Sequence, residues 1–261
     1  MAPQERATGH EPLNTLKPVA KDIWLIDGPP VTICKIPYPS RATVVRLACG
    51  SLWIHAPTVL TETLRRELQA LGPVGYLVAP NGRHFSQLPD WQQAYPDALL
   101  WHAGGLTDHP PNAGAHGVAS SQKAAAWADE IDQIAIKGRK HHCETVYFHR
   151  ASASLICTDL IHNVQTAHLP AAARPLVWLS GADDSDGKMP FPVSMRYRKS
   201  DLADAVEAMI ALDPQRLLLA HRRWFPDGAV GELRRAFRRI LRDREWTAAM
   251  EKISTKTGTP D

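Results

Sequence analysis

Residues 144–163 read ETVYFHRASASLICTDLIHN, and this stretch decides the fold that the sequence predicts. Two apolar runs, 145–149 and 155–158, flank the short segment RASAS, whose length suits a β-hairpin. Asp159 follows the second run directly, so its carboxylate is expected at the end of a strand. Polar groups just beyond the carboxyl ends of strands in open α/β sheets converge on a shared crevice. The stretch therefore predicts a sheet with a carboxylate at its functional edge.

Two histidines occupy the same kind of position elsewhere in the chain. His84 follows the apolar run in YLVAPNGRHFSQLPDW, residues 76–91, and His221 follows the run in LLLAHRRWF, residues 217–225. Two imidazoles and one carboxylate are ligands that suit a first-row metal such as zinc or iron. The sequence therefore predicts a metal site formed by His84, Asp159 and His221.

The rest of the chain alternates short β-rich runs with amphipathic helices, which argues for a layered α/β sandwich. Further strands are expected at residues 23–27, 43–49, 52–55, 76–79, 98–101, 176–179 and 217–220. Helices are expected after the caps Thr61 and Ser200 and over residues 229–246. Their inward positions are Leu64, Leu68 and Leu71, then Leu202, Val206, Met209 and Ile210, then Leu233, Phe237, Ile240 and Leu241. We expect one domain over residues 19–252, between a flexible arm at 1–18 and a flexible tail at 253–261.

Composition limits the classes of function. Apolar residues make up 44% of the 261 residues and charged residues 22%, as in a soluble globular protein. The net charge of +3 is too small to argue for nucleic acid, and RRAFRRILRDR, residues 234–244, is interpreted as a solvated helix face. No stretch approaches the roughly 20 apolar residues that span a bilayer, and no apolar run near the start is typical of a signal peptide. The four cysteines form no CxxC pair, and Cys49 and Cys157 are interpreted as buried. We therefore expect a cytoplasmic protein with no membrane or nucleic-acid partner, and the sequence leaves its oligomeric state open.

The strand-end residues resemble the metal-binding motifs of the metallo-β-lactamase-like superfamily. Its members carry an HxHxDH loop after a strand, a later histidine, an aspartate that ends a hairpin strand and a last histidine that ends another strand. In the loop, the resemblance places Ala79 and Asn81 at the first two histidines, Arg83 at the aspartate and His84 at the last histidine. Beyond the loop, it places His141 or His142 at the middle histidine, Asp159 at the bridging aspartate and His221 at the final histidine. The resemblance covers roughly residues 20–245 and implies a four-layer αββα sandwich.

A closer resemblance is to a subfamily of this fold that is classed as a domain of unknown function and occurs in bacteria and plants. The shared motifs are IHAP at 54–57, LVAPNxxH at 77–84 and ExVxFHRxSxxLIxTDLxxN at 144–163. The last motif is long and rather specific. It names a fold family and not a reaction.

The departures from the superfamily motif imply a reduced site. Ala79 has no donor atom and Asn81 is a weak ligand, so the first of the two usual metals loses its site. Three ligands of the second metal remain, His84, Asp159 and His221, which with water is the composition of a catalytic zinc site. Arg83 takes the place of the fourth ligand and stays protonated. Its charge either repels a metal or, with the side chain turned outward, binds an anionic substrate.

Several neighbours are candidates for supporting roles. Asn81, Arg83 and Arg222 are candidates for binding an anionic substrate, or else Arg222 belongs to a solvated basic rim. A second group could orient the metal ligands or add one, and its members are His141, His142, Glu144, His149 and Asn163.

Two functions follow from this site. In the first, one divalent metal, zinc or iron, serves a hydrolase whose water attacks an ester, amide or phosphoester of a small anionic substrate, with Asp159 as ligand and proton acceptor. In the second, the chain binds no metal and serves as a binding or structural module, with Arg83 paired to Asp159. Iron-dependent redox chemistry is a third possibility that the ligand types permit.

Overall fold

The computed structural model describes residues 11–33, 36–81, 86–102, 118–120, 127–139, 142–162, 174–180, 187–220 and 223–257. The strands are β1 Lys17–Ala20, β2 Ile23–Ile33, β3 Ile36–Arg46, β4 Leu52–His55, β5 Val74–Ala79, β6 Leu99–His102, β7 Val118–Ser120, β8 Ile131–Lys137, β9 Cys143–His149, β10 Ser154–Cys157 and β11 Arg216–Leu219. The helices are α1 Glu62–Leu71, α2 Leu88–Ala94, α3 Arg174–Ser180, α4 Phe191–Ser194, α5 Lys199–Ala211, α6 Ala229–Ala236 and α7 Arg238–Thr257.

The strands form two sheets. In the first sheet, β1 to β7 follow one another in chain order, antiparallel as far as β4 and parallel from β4 to β7. The second sheet has the order β11–β10–β9–β8, in which only β10 and β11 run parallel. The hairpin predicted from residues 144–163 is β9 and β10, joined by a short 3₁₀ turn at Arg150–Ser152.

Alternating side chains hold the layers together. In β4, Trp53 points between the two sheets and packs with Tyr147 of β9, while Leu52 and Ile54 face Leu64 and Leu68 of α1. A further core lies between the second sheet and the helices α5, α6 and α7. The order of layers is therefore helix, sheet, sheet, helix, which confirms the predicted αββα sandwich.

The first helix begins where the sequence predicts. The hydroxyl of Thr61 accepts a hydrogen bond from the backbone N–H of Leu64 at 3.2 Å, and Gly72 ends the helix. The second helix begins at Lys199 with Arg198 as its cap, and Ser200 instead bonds the side chain of Asp201.

The predicted strand at residues 176–179 is wrong, because these residues lie in α3. A short apolar run does not distinguish a strand from a helix by its periodicity, and Pro175 suits the first turn of a helix. A tryptophan in this apolar run is expected in the core or in a pocket wall, but the side chain of Trp178 is 68% exposed.

The third predicted helix is two helices, α6 and α7, with Phe237 between them. Its apolar face is as predicted, since Leu233, Phe237 and Ile240 are buried. Helix α7 continues to Thr257, past the predicted end of the domain, and β1 begins at Lys17, within the predicted arm.

The sequence did not indicate the strands β1, β7 and β8 or the helices α2 and α4. Cys157 is buried as predicted, whereas Cys49 is exposed because it lies in the turn between β3 and β4. Among the helices that the structure describes, none combines the length and apolar character needed to cross a membrane.

Candidate functional site

The site lies where β10 and β11 end side by side. Cys157 is paired with Leu219 in the parallel register, and the N–H of Ala220 donates to the carbonyl of Cys157 at 3.1 Å. The segments that follow β10 and β11 therefore begin at the same end of the second sheet, at Thr158 and Ala220.

The end of β5 reaches this place from the first sheet. The N–H of Thr145 in β9 donates to the carbonyl of Pro80 at 3.1 Å, which ties the two sheets together. Asn81, the next residue, donates from Nδ2 to Oδ2 of Asp159 at 3.0 Å. Both side chains are buried. The loop that leads from Asn81 to His84 thus begins against the Asp159 carboxylate.

Glu144 holds the backbone at Asp159 in place through hydrogen bonds. Its Oε1 accepts from the hydroxyl of Thr158 at 2.8 Å and from the backbone N–H of Asp159 at 2.9 Å. Its Oε2 accepts from the hydroxyl of Tyr197 at 3.4 Å. Because Glu144 belongs to β9, which pairs with β10, the carboxylate is held in place by the sheet itself.

The surroundings of Glu144 are unfavourable for a negative charge. Burial, and after it the charge of Asp159, raise the pKa of Glu144 to about 7, although three hydrogen bonds to its carboxylate oppose that shift. None of the described groups that shift this pKa most is cationic. Two carboxyl groups therefore lie close together in the interior, an arrangement that favours a shared proton or a nearby cation.

Tyr197 and His142 extend the network away from Asp159. The hydroxyl of Tyr197 lies 2.8 Å from Nε2 of His142, and the two rings meet edge to face. Burial and the charge of Glu144 raise the pKa of Tyr197, so this phenol remains protonated. Hydrogen bonds thus connect His142 through Tyr197 and Glu144 to the backbone of Asp159.

A buried ion pair holds the end of β11 from the opposite sheet. The guanidinium of Arg41 in β3 donates from Nη1 to the carbonyl of Leu219 at 2.9 Å and from Nε to Oδ1 of Asp27 at 2.8 Å. Lys17 binds the other oxygen of Asp27 at 2.7 Å. Burial lowers the pKa of Arg41 and the charge of Asp27 opposes that shift. The strand that leads to His221 is therefore anchored two residues before that histidine.

The structure brings together three of the residues that the sequence singled out, Asn81, Glu144 and Asp159, and places His142 one side chain further away. His149 is not part of this group, because it pairs with Ser154 at the other end of β9 and bonds the hydroxyl of Ser152 at 2.8 Å. Six further candidates lie outside the described residues, namely Arg83, His84, His141, Asn163, His221 and Arg222.

Sequence reasoning missed Thr158, Tyr197 and Arg41. Arg41 carried a signal, since a charged residue directly before the mostly apolar residues 42–45 of a strand indicates an internal ion pair. Tyr197 carried none, because it lies between basic residues in MRYRK, residues 195–199, outside any apolar run.

The donor chemistry near Asp159 fits a divalent cation. An ionised carboxylate is a ligand that divalent cations accept in proteins, and Asp159 supplies one beside Asn81. Within the described residues no three His, Cys, Asp or Glu side chains gather as a ligand set, and both histidines of the predicted set lie outside those residues.

Comparison with solved structures identifies the class of fold. A metallo-β-lactamase from Pontibacter korlensis superposes with a TM-score of 0.54 at 9% identity, covering 83% of this chain and 95% of that one. The metallo-β-lactamase FIM-1 from Pseudomonas aeruginosa, solved in a mono-zinc form, gives a TM-score of 0.55 at 11% identity over 87% of this chain and 96% of that one. The metal-soaked flavodiiron core of Flv1 from Synechocystis sp. PCC6803 gives 0.59 at 11% identity over 88% of this chain and 61% of that one. The chain has the metallo-β-lactamase fold.

The family is narrower than this class. Residues 20–190 match the family model described as a domain of unknown function, DUF4336, and the chain belongs to that family. A search of curated proteins found no significant match.

Proposed function

We propose that the chain is a metal-dependent hydrolase with a single-metal site, in which His84, Asp159 and His221 hold one zinc or iron ion. The observation that carries this proposal is the convergence of three strand ends. Asn81 after β5, Asp159 after β10 and Ala220 after β11 lie at one edge of the sandwich, and two of these segments lead directly to the histidines.

When bound, a divalent cation acts as a Lewis acid that polarises a carbonyl or phosphoryl oxygen and makes water more acidic. The residues of the chain prepare for this in two ways. Asn81 holds one carboxylate oxygen of Asp159, and Glu144 holds its backbone N–H, so the carboxylate is oriented before any substrate arrives. Asp159 then serves as the proton acceptor for the attacking water.

The proposed substrate is a small anion with an ester, amide or phosphoester bond. Arg83 and Arg222 directly neighbour the proposed ligands in sequence, and a guanidinium binds a carboxylate or phosphate through two parallel hydrogen bonds. In this proposal the two arginines bind the substrate.

The decisive experiment is metal analysis of protein purified without added metal. We expect close to one zinc or iron per chain in the parent and a large loss in His84→Ala, Asp159→Asn and His221→Ala. His149→Gln is the matched control, because His149 lies at the far end of β9 and its loss leaves the proposed ligands in place. Bound iron would also give colour or an electron paramagnetic resonance signal.

Two results together would exclude the hydrolase: the purified parent contains less than about 0.2 metal equivalents, and the folded parent takes up no zinc when zinc is added. The metal-free binding module would then be the better account. In that case Arg83→Asp, which restores an acidic residue at the superfamily position, is expected to increase metal uptake.

A further inference from the structure

A cavity of about 890 Å³ opens beside the second sheet, lined mainly by residues 188–197 and by residues of α5, α6 and α7. Its floor is apolar and includes the buried side chains of Leu202, Phe237 and Ile240. Its rim keeps large apolar groups in water, since Leu179 is 74%, Met195 57% and Phe191 53% exposed. The volume is that of a small-molecule site, and apolar side chains exposed together usually mark a binding surface.

The charged groups around this cavity are of one sign. The basic residues that line it are Arg139, Lys188, Arg196, Lys199 and Arg239, and no acidic residue is among the lining groups that the structure describes. Two of the five are already engaged, because Lys199 pairs with Asp243 at 2.8 Å and Arg239 lies 5.7 Å from the centre of the Phe191 ring.

Arg139 and Arg196 differ from these two. The N–H of Arg139 donates to the carbonyl of Arg196, so the two residues lie next to each other at the cavity. Within the described part of the chain, neither guanidinium forms an ion pair. Two neighbouring arginines beside an apolar cavity, neither in an ion pair with a described residue, are complementary to an oxyanion that carries an apolar chain.

The cavity also borders the candidate site. His142 and Tyr197 both line it, and the Tyr197 hydroxyl donates to Glu144, which in turn accepts from the N–H of Asp159. The inner wall of the cavity is thus separated from Asp159 by only two side chains.

We propose that this cavity binds a free, single-chain amphipathic anion. Its carboxylate or phosphate head lies against Arg139 and Arg196, and its apolar chain lies along Met195, Phe191 and Leu179. A free molecule fits better than a bilayer, because the apolar groups line a concave space of ligand size and a bilayer requires a protruding apolar face. The inference deepens the proposed function, on which it rests where it names the substrate class, but the binding itself requires no metal.

The test is calorimetric titration of the full chain with decanoate and decyl phosphate below their micelle concentrations. We expect Arg139→Ala and Arg196→Ala each to weaken binding about tenfold or more, since each removes charge-assisted hydrogen bonds. Met195→Asp is expected to weaken it as well, by placing a like charge on the path of the ligand. Arg66→Ala is the matched control, because Arg66 is an exposed arginine on α1, on the other side of the sandwich.

Three results would overturn the inference. Acetate or inorganic phosphate binding as tightly as the long-chain anions would show that the apolar surface contributes nothing. Decanol binding as tightly as decanoate would show that the arginines contribute nothing. Binding to phosphatidylserine vesicles without binding to decanoate would assign the surface to membranes.

The same titration separates this inference from the proposed function. Asp159→Asn is expected to lose metal and to keep its affinity for decanoate. If the parent contains no metal and still binds decanoate through Arg139 and Arg196, the hydrolase fails and the ligand site stands. If metal is present and decanoate does not bind, the reverse holds.

Discussion

At the scale of single residues, Glu144 and His149 are both buried on strand β9, but they make hydrogen bonds at opposite ends of it. Glu144 accepts hydrogen bonds from the residues around Asp159, whereas His149 bonds Ser152 at the opposite end of the strand. Each gives a prediction that can be checked without knowledge of the substrate.

Glu144→Ala is expected to destabilise the protein by about 2–4 kcal/mol, because it leaves the Thr158 hydroxyl and the Asp159 N–H buried without an acceptor. Glu144→Gln keeps an oxygen at the same distance and is expected to change the free energy of unfolding by no more than about 1 kcal/mol. Urea unfolding of the two variants measures the difference. Equal losses in both would show that the hydrogen bonds at Oε1 do not matter.

His149 predicts a dependence of stability on pH. Burial lowers the pKa of His149, and the charges of Glu130 and Asp22 only partly oppose this. The unfolded chain therefore binds a proton more readily, so the contribution of His149 is complete above about pH 6.5 and is lost as pH falls from there through the folded pKa. Thermal unfolding from pH 8 to pH 5 should show a smaller decline in His149→Gln than in the parent. An unchanged decline would assign it to other groups.

At the scale of elements, the hairpin of β9 and β10 could be predicted because several signals agree. Two apolar runs, a short turn and a strand-end aspartate all lie within residues 144–163. The run LVWL at residues 176–179 offered only one of these signals, and it is a helix in the structure. Strand β8 could not be predicted because its isoleucines do not alternate regularly: Ile131 lies on the opposite parity to Ile134 and Ile136.

The candidate site was predictable in part for the same reason. Asp159 and Asn81 both follow apolar runs, which predicts polar groups at strand ends, but their strands lie in different sheets and the contact between them depends on how the sheets pack. The role of Tyr197 depends on the contact between the β8–β9 turn and the segment after α4, a long-range pairing that no local pattern encodes.

At the scale of the whole molecule, Arg41 joins the two sheets. Its guanidinium binds Asp27, which lies in β2 of the first sheet, and also the carbonyl of Leu219, which ends β11 of the second sheet. Removal of one partner from a buried ion pair leaves the charge of the other uncompensated. Without Arg41, the buried charge of Asp27 would be compensated only by Lys17.

Arg41→Met is therefore expected to lower the free energy of unfolding by about 3 kcal/mol and to speed hydrogen exchange in β11. Arg46→Met is the matched control, because Arg46 lies on the same strand and pairs with Asp22 near the surface, where such pairs contribute about 1 kcal/mol or less. Chemical unfolding and hydrogen exchange measure both effects. Similar losses in the two variants would contradict a special role for the link between the sheets.

The position of Glu144 on a strand has a consequence for how this protein can diversify. Glu144 supports Asp159 from within the paired strands β9 and β10. The segments after β5 and β11, in contrast, are connections between elements. Mutations can accumulate in those connections and alter which molecules are recognised, while the orientation of the Asp159 carboxylate is conserved. A scaffold divided in this way lets selection explore new reactions without first rebuilding the centre around which they would take place.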